Sequence, residues 1–145
     1  MYMIYVKTFG RFAVFIDEKP MVFKNLKVKE LFAYLIDNEG DFVSSKDIMV
    51  SLWPDRQADI RLKRTFRYTL RLLREAFHES GIENVIDVGY GVVKVNKDLI
   101  LCDYYEFIKG NNENYPYKND YLFNYEWAEP TRRRIKEYQD KRIAN

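Results

Sequence analysis

The chain has 145 residues, of which 47% are hydrophobic and 17% aromatic, a content that supports a packed core and argues against disorder. That length fits one domain, or one domain with a small appendage. The formal net charge is only +2, from 24 basic and 22 acidic residues, so a uniformly basic coat is excluded and any site for a polyanion must be local.

Residues 2–8 and 11–16 are rich in Tyr, Val, Ile and Phe on either side of Gly10 and predict two strands. Asp17-Glu18-Lys19-Pro20 predicts a polar turn, and Met21-Val22-Phe23 a short third strand, completing an N-terminal antiparallel meander. Lys27 to Asn38 predicts a helix, because Val28, Leu31, Phe32, Leu35 and Ile36 recur at three- and four-residue spacing, with Gly40 as its stop. Ser44 or Ser45 caps a second helix, Lys46 to Trp53, helped by Asp47 in the first turn and ended by Pro54.

Asp59 opens a long third helix that ends at Gly81. At about 100° per residue, Leu62, Phe66, Leu70, Leu73 and Phe77 share an arc of roughly 80°. Lys63, Arg64, Arg67, Arg71 and Arg74 share a separate arc of roughly 100°, with no acid among them. A helix with one buried stripe and one cationic stripe suits a polyanion, and the DNA major groove is wide enough to admit it.

Val85 to Val95 (VIDVGYGVVKV) reads as a hairpin around Gly89-Tyr90-Gly91. Asp103 caps a short helix to Lys109, with Tyr104, Phe107 and Ile108 as its apolar positions. Gly110 to Asn119 reads as a polar hinge loop. Tyr121 to Trp127 is aromatic-dense, and Pro130 suits the first turn of a last helix reaching about Ile143. The predicted class is therefore α+β: a winged helix-turn-helix with an N-terminal antiparallel β-sheet, a β-hairpin wing and a helical C-terminal extension. The expected division is residues 1–100 for the winged helix with its sheet and 101–145 for the extension.

The stretches LFAYLIDNEGDFVSSKDIMVSLWPD, KRTFRYTLRLLREAF and GYGVVKV together resemble the winged-helix effector domains of OmpR/PhoB-type regulators. The nearer resemblance is to the SARP-like branch, through Leu52-Trp53-Pro54 and Leu73-Arg74-x-Ala76-Phe77. Tyr125-x-Trp127-Ala128-Glu129-Pro130-x-Arg132 is similar to the opening of the bacterial transcriptional activation domain that follows in that branch. The resemblance implies a bacterial, sequence-specific transcriptional regulator, an effector domain of the kind carried by response regulators of two-component systems. It also implies pairing on directly repeated sites and contact with RNA polymerase. The chain departs from the pattern in having no receiver domain before the sheet and only one helix of what would be a multi-helix activation domain.

Within that frame, Arg67 and Tyr68 are candidates for base edges, the arginine for guanine and the tyrosine for a thymine methyl or a phosphate. Lys63, Arg64, Arg71 and Arg74 are candidates for phosphates. By resemblance, Arg64, Arg71 and Arg74 match family positions that touch the DNA backbone, whereas position 67 is commonly not arginine. Ser44, Ser45 and Lys46 open the second helix, whose N-terminal N–H groups suit a phosphate; capping alone accounts for the serines equally well. Tyr90 at the hairpin tip, with Lys94 or Lys97, would contact the DNA from the wing, without the arginine that a minor-groove contact favours.

Trp53, Phe32, Leu35 and Leu52 read as core. Tyr121, Tyr125 and Trp127 either pack the last helix onto the N-terminal sheet, the favoured reading, or form a partner surface. Arg132, Arg133, Arg134 and Lys136 either touch DNA outside the groove or, the favoured reading, form a solvated first part of the last helix with Glu137 and Asp140 nearby. The single His78, beside Glu79, and the distant single Cys102 make no triad or metal site, so neither an enzyme nor a cofactor is expected. The lone cysteine fits a reducing, cytoplasmic setting. No run approaches the roughly 20 apolar residues of a membrane span, and MYMIYVKTFGRF lacks a signal-peptide layout. The alternative from another class is a protein-interaction module on a winged-helix scaffold, working through the aromatic C-terminal segment.

Overall fold

Three helices begin in the same way, on a short polar side chain that turns back to the first-turn backbone. Asn25 Oδ1 accepts from Val28 N at 3.0 Å, Ser44 Oγ from Asp47 N at 3.0 Å and Asp59 Oδ1 from Leu62 N at 2.9 Å. Each bond satisfies an N–H that has no partner within its helix. These caps open α1 (Leu26–Asp37), α2 (Ser45–Leu52) and α3 (Ile60–Glu79). The computed structural model describes residues 4–118 and 120–144. Among them are five helices and two sheets, a mixed α+β fold.

The described residues form two compact units, 21–99 and 4–20 with 100–144. This division differs from a simple break near residue 100, because the N-terminal strands group with the C-terminal residues.

In the unit of residues 21–99, α1 buries Val28, Leu31, Phe32, Leu35 and Ile36, and Phe32 meets Phe77 of α3 edge-on at 5.0 Å. Lys27 reaches the Leu52 carbonyl at the end of α2 and lies over the buried Trp53 ring. A three-stranded antiparallel sheet completes the unit in the order β4 (Val43–Ser44), β6 (Val92–Val95), β5 (Ile86–Gly89). Strand β4 has two residues and too little pattern to be read from sequence. Glu39 and Gly40 both have positive φ beyond α1. At Gly40 the φ of 87° favours glycine, and a Cβ there would also press at 3.0 Å on the Lys97 stem.

The other unit holds a four-stranded sheet in the order β3 (Lys19–Pro20), β2 (Ala13–Ile16), β1 (Ile4–Lys7), β7 (Ile100–Cys102). This corrects the expected meander in two respects. The third strand is Lys19–Pro20, because Asp17 and Glu18 alone turn the chain, both at positive φ (51° and 69°), the pattern of a two-residue hairpin turn. Met21-Val22-Phe23 lies beyond it, with Val22 exposed. Strand β7, which the residue pattern had not revealed, pairs with β1 in parallel, Ile4 with Ile100 and Val6 with Cys102.

Helix α4 (Asp103–Ile108) is not capped by Asp103 as expected: Cys102 holds the cap position without a side-chain bond, and the Asp103 carboxylate turns elsewhere. It is buried and accepts from the backbone N–H groups of Thr8 (2.8 and 3.0 Å), Phe9 (2.9 Å) and Tyr104 (2.8 Å), and from the Thr8 hydroxyl at 2.5 Å. Tyr104, Tyr105 and Phe107 are the buried positions of α4, whereas Ile108, expected inside, is exposed. The polar segment after Gly110 is anchored by the buried Tyr117, whose ring lies 5.1 Å from that of Phe9; Asn119 lies outside the described residues. Helix α5 (Glu129–Ala144) follows a short 3-10 turn, with Pro130 in its first turn.

Candidate nucleic-acid interface

The burial of α3 follows its two-faced sequence. Leu62, Phe66, Leu70, Leu73 and Phe77 are all buried, together with Thr69 and Leu72. Lys63, Arg64, Arg67, Arg71 and Arg74 are all exposed. Twenty residues give a rod of about 30 Å, of which the cationic stripe from Lys63 to Arg74 covers about 17 Å, roughly half the length of a duplex turn. Asp59 starts the rod, and its carboxyl is held below the ordinary 3.8, first of all by the hydrogen bond from the Leu62 N–H. Thr69 Oγ1 turns its polarity inward, donating to the Thr65 carbonyl at 2.8 Å, which lets a hydroxyl sit on a buried face without an orphaned donor.

The stripe is not chemically uniform. Arg71 lies over the Tyr68 ring at 5.0 Å and its Nε is 3.7 Å from Glu75 Oε1. Tyr68 is half exposed beside the stripe. Glu75 had been passed over in the sequence because it falls outside the cationic arc, although it sits four residues, about one turn, beyond Arg71.

A groove of about 460 Å³ separates α3 from the hairpin of β5 and β6. Its floor is apolar, made by Met49, Phe66, Leu70, Val88 and Val93, and Lys63, Arg67, Ser45 and Tyr90 also line it. The groove thus brings together four of the residues singled out from sequence. Tyr90 stands fully in solvent at the hairpin tip, where Gly91 carries a φ of 67°.

Lys94 belongs to a different neighbourhood. Its ammonium lies 4.8 Å from the centre of the exposed Phe42 ring, a surface position that no sequence pattern marks. The stem of Lys97 covers Gly40.

At the start of α2, two of the first three N–H groups are already engaged. Ser45 N donates to the Gly91 carbonyl at 2.9 Å, tying the helix to the hairpin turn, and Asp47 N donates to Ser44 Oγ. Capping therefore explains Ser44, and the exposed Lys46 side chain is the cation available there.

In the C-terminal residues, Arg132 departs from the expected solvated cluster. It donates to the carbonyls of Tyr121 (3.1 Å) and Leu122 (2.8 Å) and pairs with Glu129 at 3.5 Å. It is a structural clamp on a turn where Leu122 has a φ of 40°. Arg133, Arg134 and Lys136 are exposed as expected. Tyr121 is fully buried and bridges to Phe9, in keeping with a packing role. Tyr125 and Trp127 stack on each other at 4.9 Å, both part-exposed, next to the exposed Phe123. His78 pairs with Glu83 at 2.7 Å rather than with Glu79. Among the described residues, no group of acidic, histidine and cysteine side chains is placed to hold a metal ion, and no helix is long and apolar enough to cross a membrane.

The fold is similar to that in a solved structure of Mycobacterium tuberculosis EmbR, described in complex with a low-affinity phosphopeptide. The TM-score is 0.77 at 15% sequence identity, over 99% of this chain and 44% of that one. The likeness is one of fold, and the chain spans less than half the length of the EmbR chain it matches. No family model matches the sequence, and no curated protein matches it.

Proposed function

We propose that the chain is a sequence-specific, duplex-DNA-binding transcriptional regulator domain that presents α3 to the major groove. The observation that carries this reading is the partition of α3: every residue of its apolar stripe is buried and every residue of its cationic stripe is in solvent. A hairpin beside the helix and an apolar-floored groove rimmed by Lys63 and Arg67 suit a sugar–phosphate strand better than a second protein face, because apolar contacts take sugar or thymine methyl while cations take phosphate. The likeness of fold to EmbR supports an effector domain of a regulator.

In this reading Arg67 and Tyr68 face base edges. Lys63, Arg64, Arg71, Arg74 and Lys46 hold phosphates, and Tyr90, Ser45 and Lys94 add contacts from the wing and the start of α2. It is a binding module rather than an enzyme, it needs no cofactor, and it works in the cytoplasm. Pairing on direct repeats and contact with RNA polymerase follow from the resemblance to SARP-like regulators. Residues 101–145 then stand as the opening of the activation segment.

Selection from a random duplex library at about physiological salt tests the proposal, since non-specific attraction is already screened there. Enrichment of a short motif is the expected result. Arg67→Ala with Arg71→Ala should abolish retention of that motif while leaving the melting temperature nearly unchanged, because both side chains are exposed. Normal binding by the double variant would refute the placement of DNA on α3. A second reading, a protein-interaction module, draws on the part-exposed Tyr125–Trp127 stack beside Phe123. It predicts no duplex retention at any salt concentration.

A further inference from the structure

We infer that Glu75 is a specificity-determining residue of the α3 surface. Together with Tyr68 it holds the Arg71 guanidinium in one pose, and its charge weakens attraction to duplexes that do not fit. The inference rests on duplex binding through α3.

Arg71 differs from the rest of the stripe in being buttressed on two sides. Its guanidinium carbon is 5.0 Å from the centre of the Tyr68 ring, inside the range of about 6 Å over which a cation is drawn to an aromatic face. Its Nε is 3.7 Å from Glu75 Oε1. Among the described residues, Arg71 is the member of the stripe that carries an ion pair.

Helix stability explains this arrangement poorly. The two side chains are 64% and 53% exposed, where such pairs contribute little. The order is also the weaker one, since a cation four residues before an anion opposes the helix dipole. What the carboxylate does at this position is local. It draws the Nε edge of Arg71 toward itself and sets a negative charge beside a surface that would otherwise attract any phosphate.

A phosphate or base edge that meets Arg71 in its held pose gains a directed contact with little ordering cost. A duplex of the wrong shape must draw Arg71 out of that pose and approach the Glu75 carboxylate without compensation. Discrimination of this kind comes from penalising the wrong partner, not only from rewarding the right one.

The test compares two duplexes, one recovered by selection and one scrambled, each titrated with the full chain across a salt series. Glu75→Gln should bind the scrambled duplex about threefold tighter, the scale of one exposed charge pair. Its salt slope there should steepen by about 0.9, one phosphate contact. The selected duplex should change less, so the ratio of affinities falls. Tyr68→Ala should lower the same ratio, and Tyr68→Phe, which keeps the ring, should restore it. Circular dichroism melts check that each variant remains folded.

Equal tightening on both duplexes, or an unchanged ratio, would overturn the role of Glu75 while leaving α3 as the DNA-binding element. Failure of the wild-type chain to retain any duplex would overturn both, and the selection experiment reveals that outcome before any variant is made.

Discussion

Asp103 shows how one side chain can organise its surroundings. Its carboxylate takes three backbone N–H groups and a hydroxyl, and its partner Thr8 lies 95 residues away in sequence. Removing it leaves those donors buried without an acceptor, a defect that costs far more than the hydrogen bonds contribute when made. Asp103→Ala is expected to lower unfolding free energy by about 3 kcal/mol or more, measured by urea denaturation. Asp103→Asn, which keeps one acceptor oxygen, should fall between. A cost under about 1 kcal/mol would mean that the donors of Thr8 and Phe9 find other partners. Nothing in the sequence distinguished this aspartate from an ordinary helix cap, because its distant partners, Thr8 and Phe9, come from the segment just after β1. Arg132 was obscured in the same way: three consecutive arginines read as a solvated run, yet the first of them reaches two carbonyls around the turn at Leu122.

At the scale of elements, legibility followed local signal. Helix α1 announces itself by apolar spacing and α2 and α3 also by capping residues, and the Ser44 and Asp59 caps are made, whereas the Asn25 cap of α1 is visible only in the structure. The hairpin of β5 and β6 is visible in its β-branched runs and its glycines. Strands β4 and β7 are not, because two or three residues carry no periodicity and their pairings are non-local. The candidate surface was legible for a similar reason. Its cations repeat on one helix, whereas the apolar lining of the groove emerges only when helix and hairpin are set side by side, and the Phe42–Lys94 contact joins residues far apart in sequence.

The wing offers a test at this level. Gly89 faces Val92 across the hairpin, and a Cβ there would approach Val92 Cγ2 to 2.9 Å. Valine is stiff about χ1 and yields poorly. Gly89→Ala is expected to cost about 1–3 kcal/mol in a thermal melt and to weaken duplex binding severalfold by misplacing Tyr90. Unchanged affinity would show that the hairpin tip contributes nothing to the interface.

For the molecule as a whole, the near-zero net charge means that the behaviour of the chain toward a polyanion is set by one face and not by bulk attraction. Stability toward alkali should instead report on Tyr5. Its phenol is pushed up from 10.0 to about 12, by burial first and then by the Asp103 carboxylate. Below pH 10 the phenol is protonated in both folded and unfolded chains and has no effect on the balance. Between about 10 and 12 the unfolded chain ionises and the folded one resists, so stability falls as pH rises through that window. Tyr5→Phe should flatten the decline, followed by denaturation midpoints at a series of alkaline pH values. An identical decline in the variant would assign it to other tyrosines, such as Tyr117, whose phenol burial also pushes up.

The parallel pairing of β1 with β7 carries a consequence for biosynthesis. Strands β1 and β2 cannot complete their sheet until Ile100 to Cys102 have been made, and the Asp103 carboxylate that collects the Thr8 and Phe9 amides arrives directly afterwards. At about 5–20 residues per second, that wait is on the order of 5–20 s. Throughout it, β1 and β2 exist as a hairpin with one open edge, and such edges recruit other strands. Meanwhile residues 21–99, whose contacts close among themselves, emerge within that interval. The nascent chain is thus exposed to mispairing at the edge of β1, which makes the β1–β2 hairpin the place where chaperones or crowding would act on its yield.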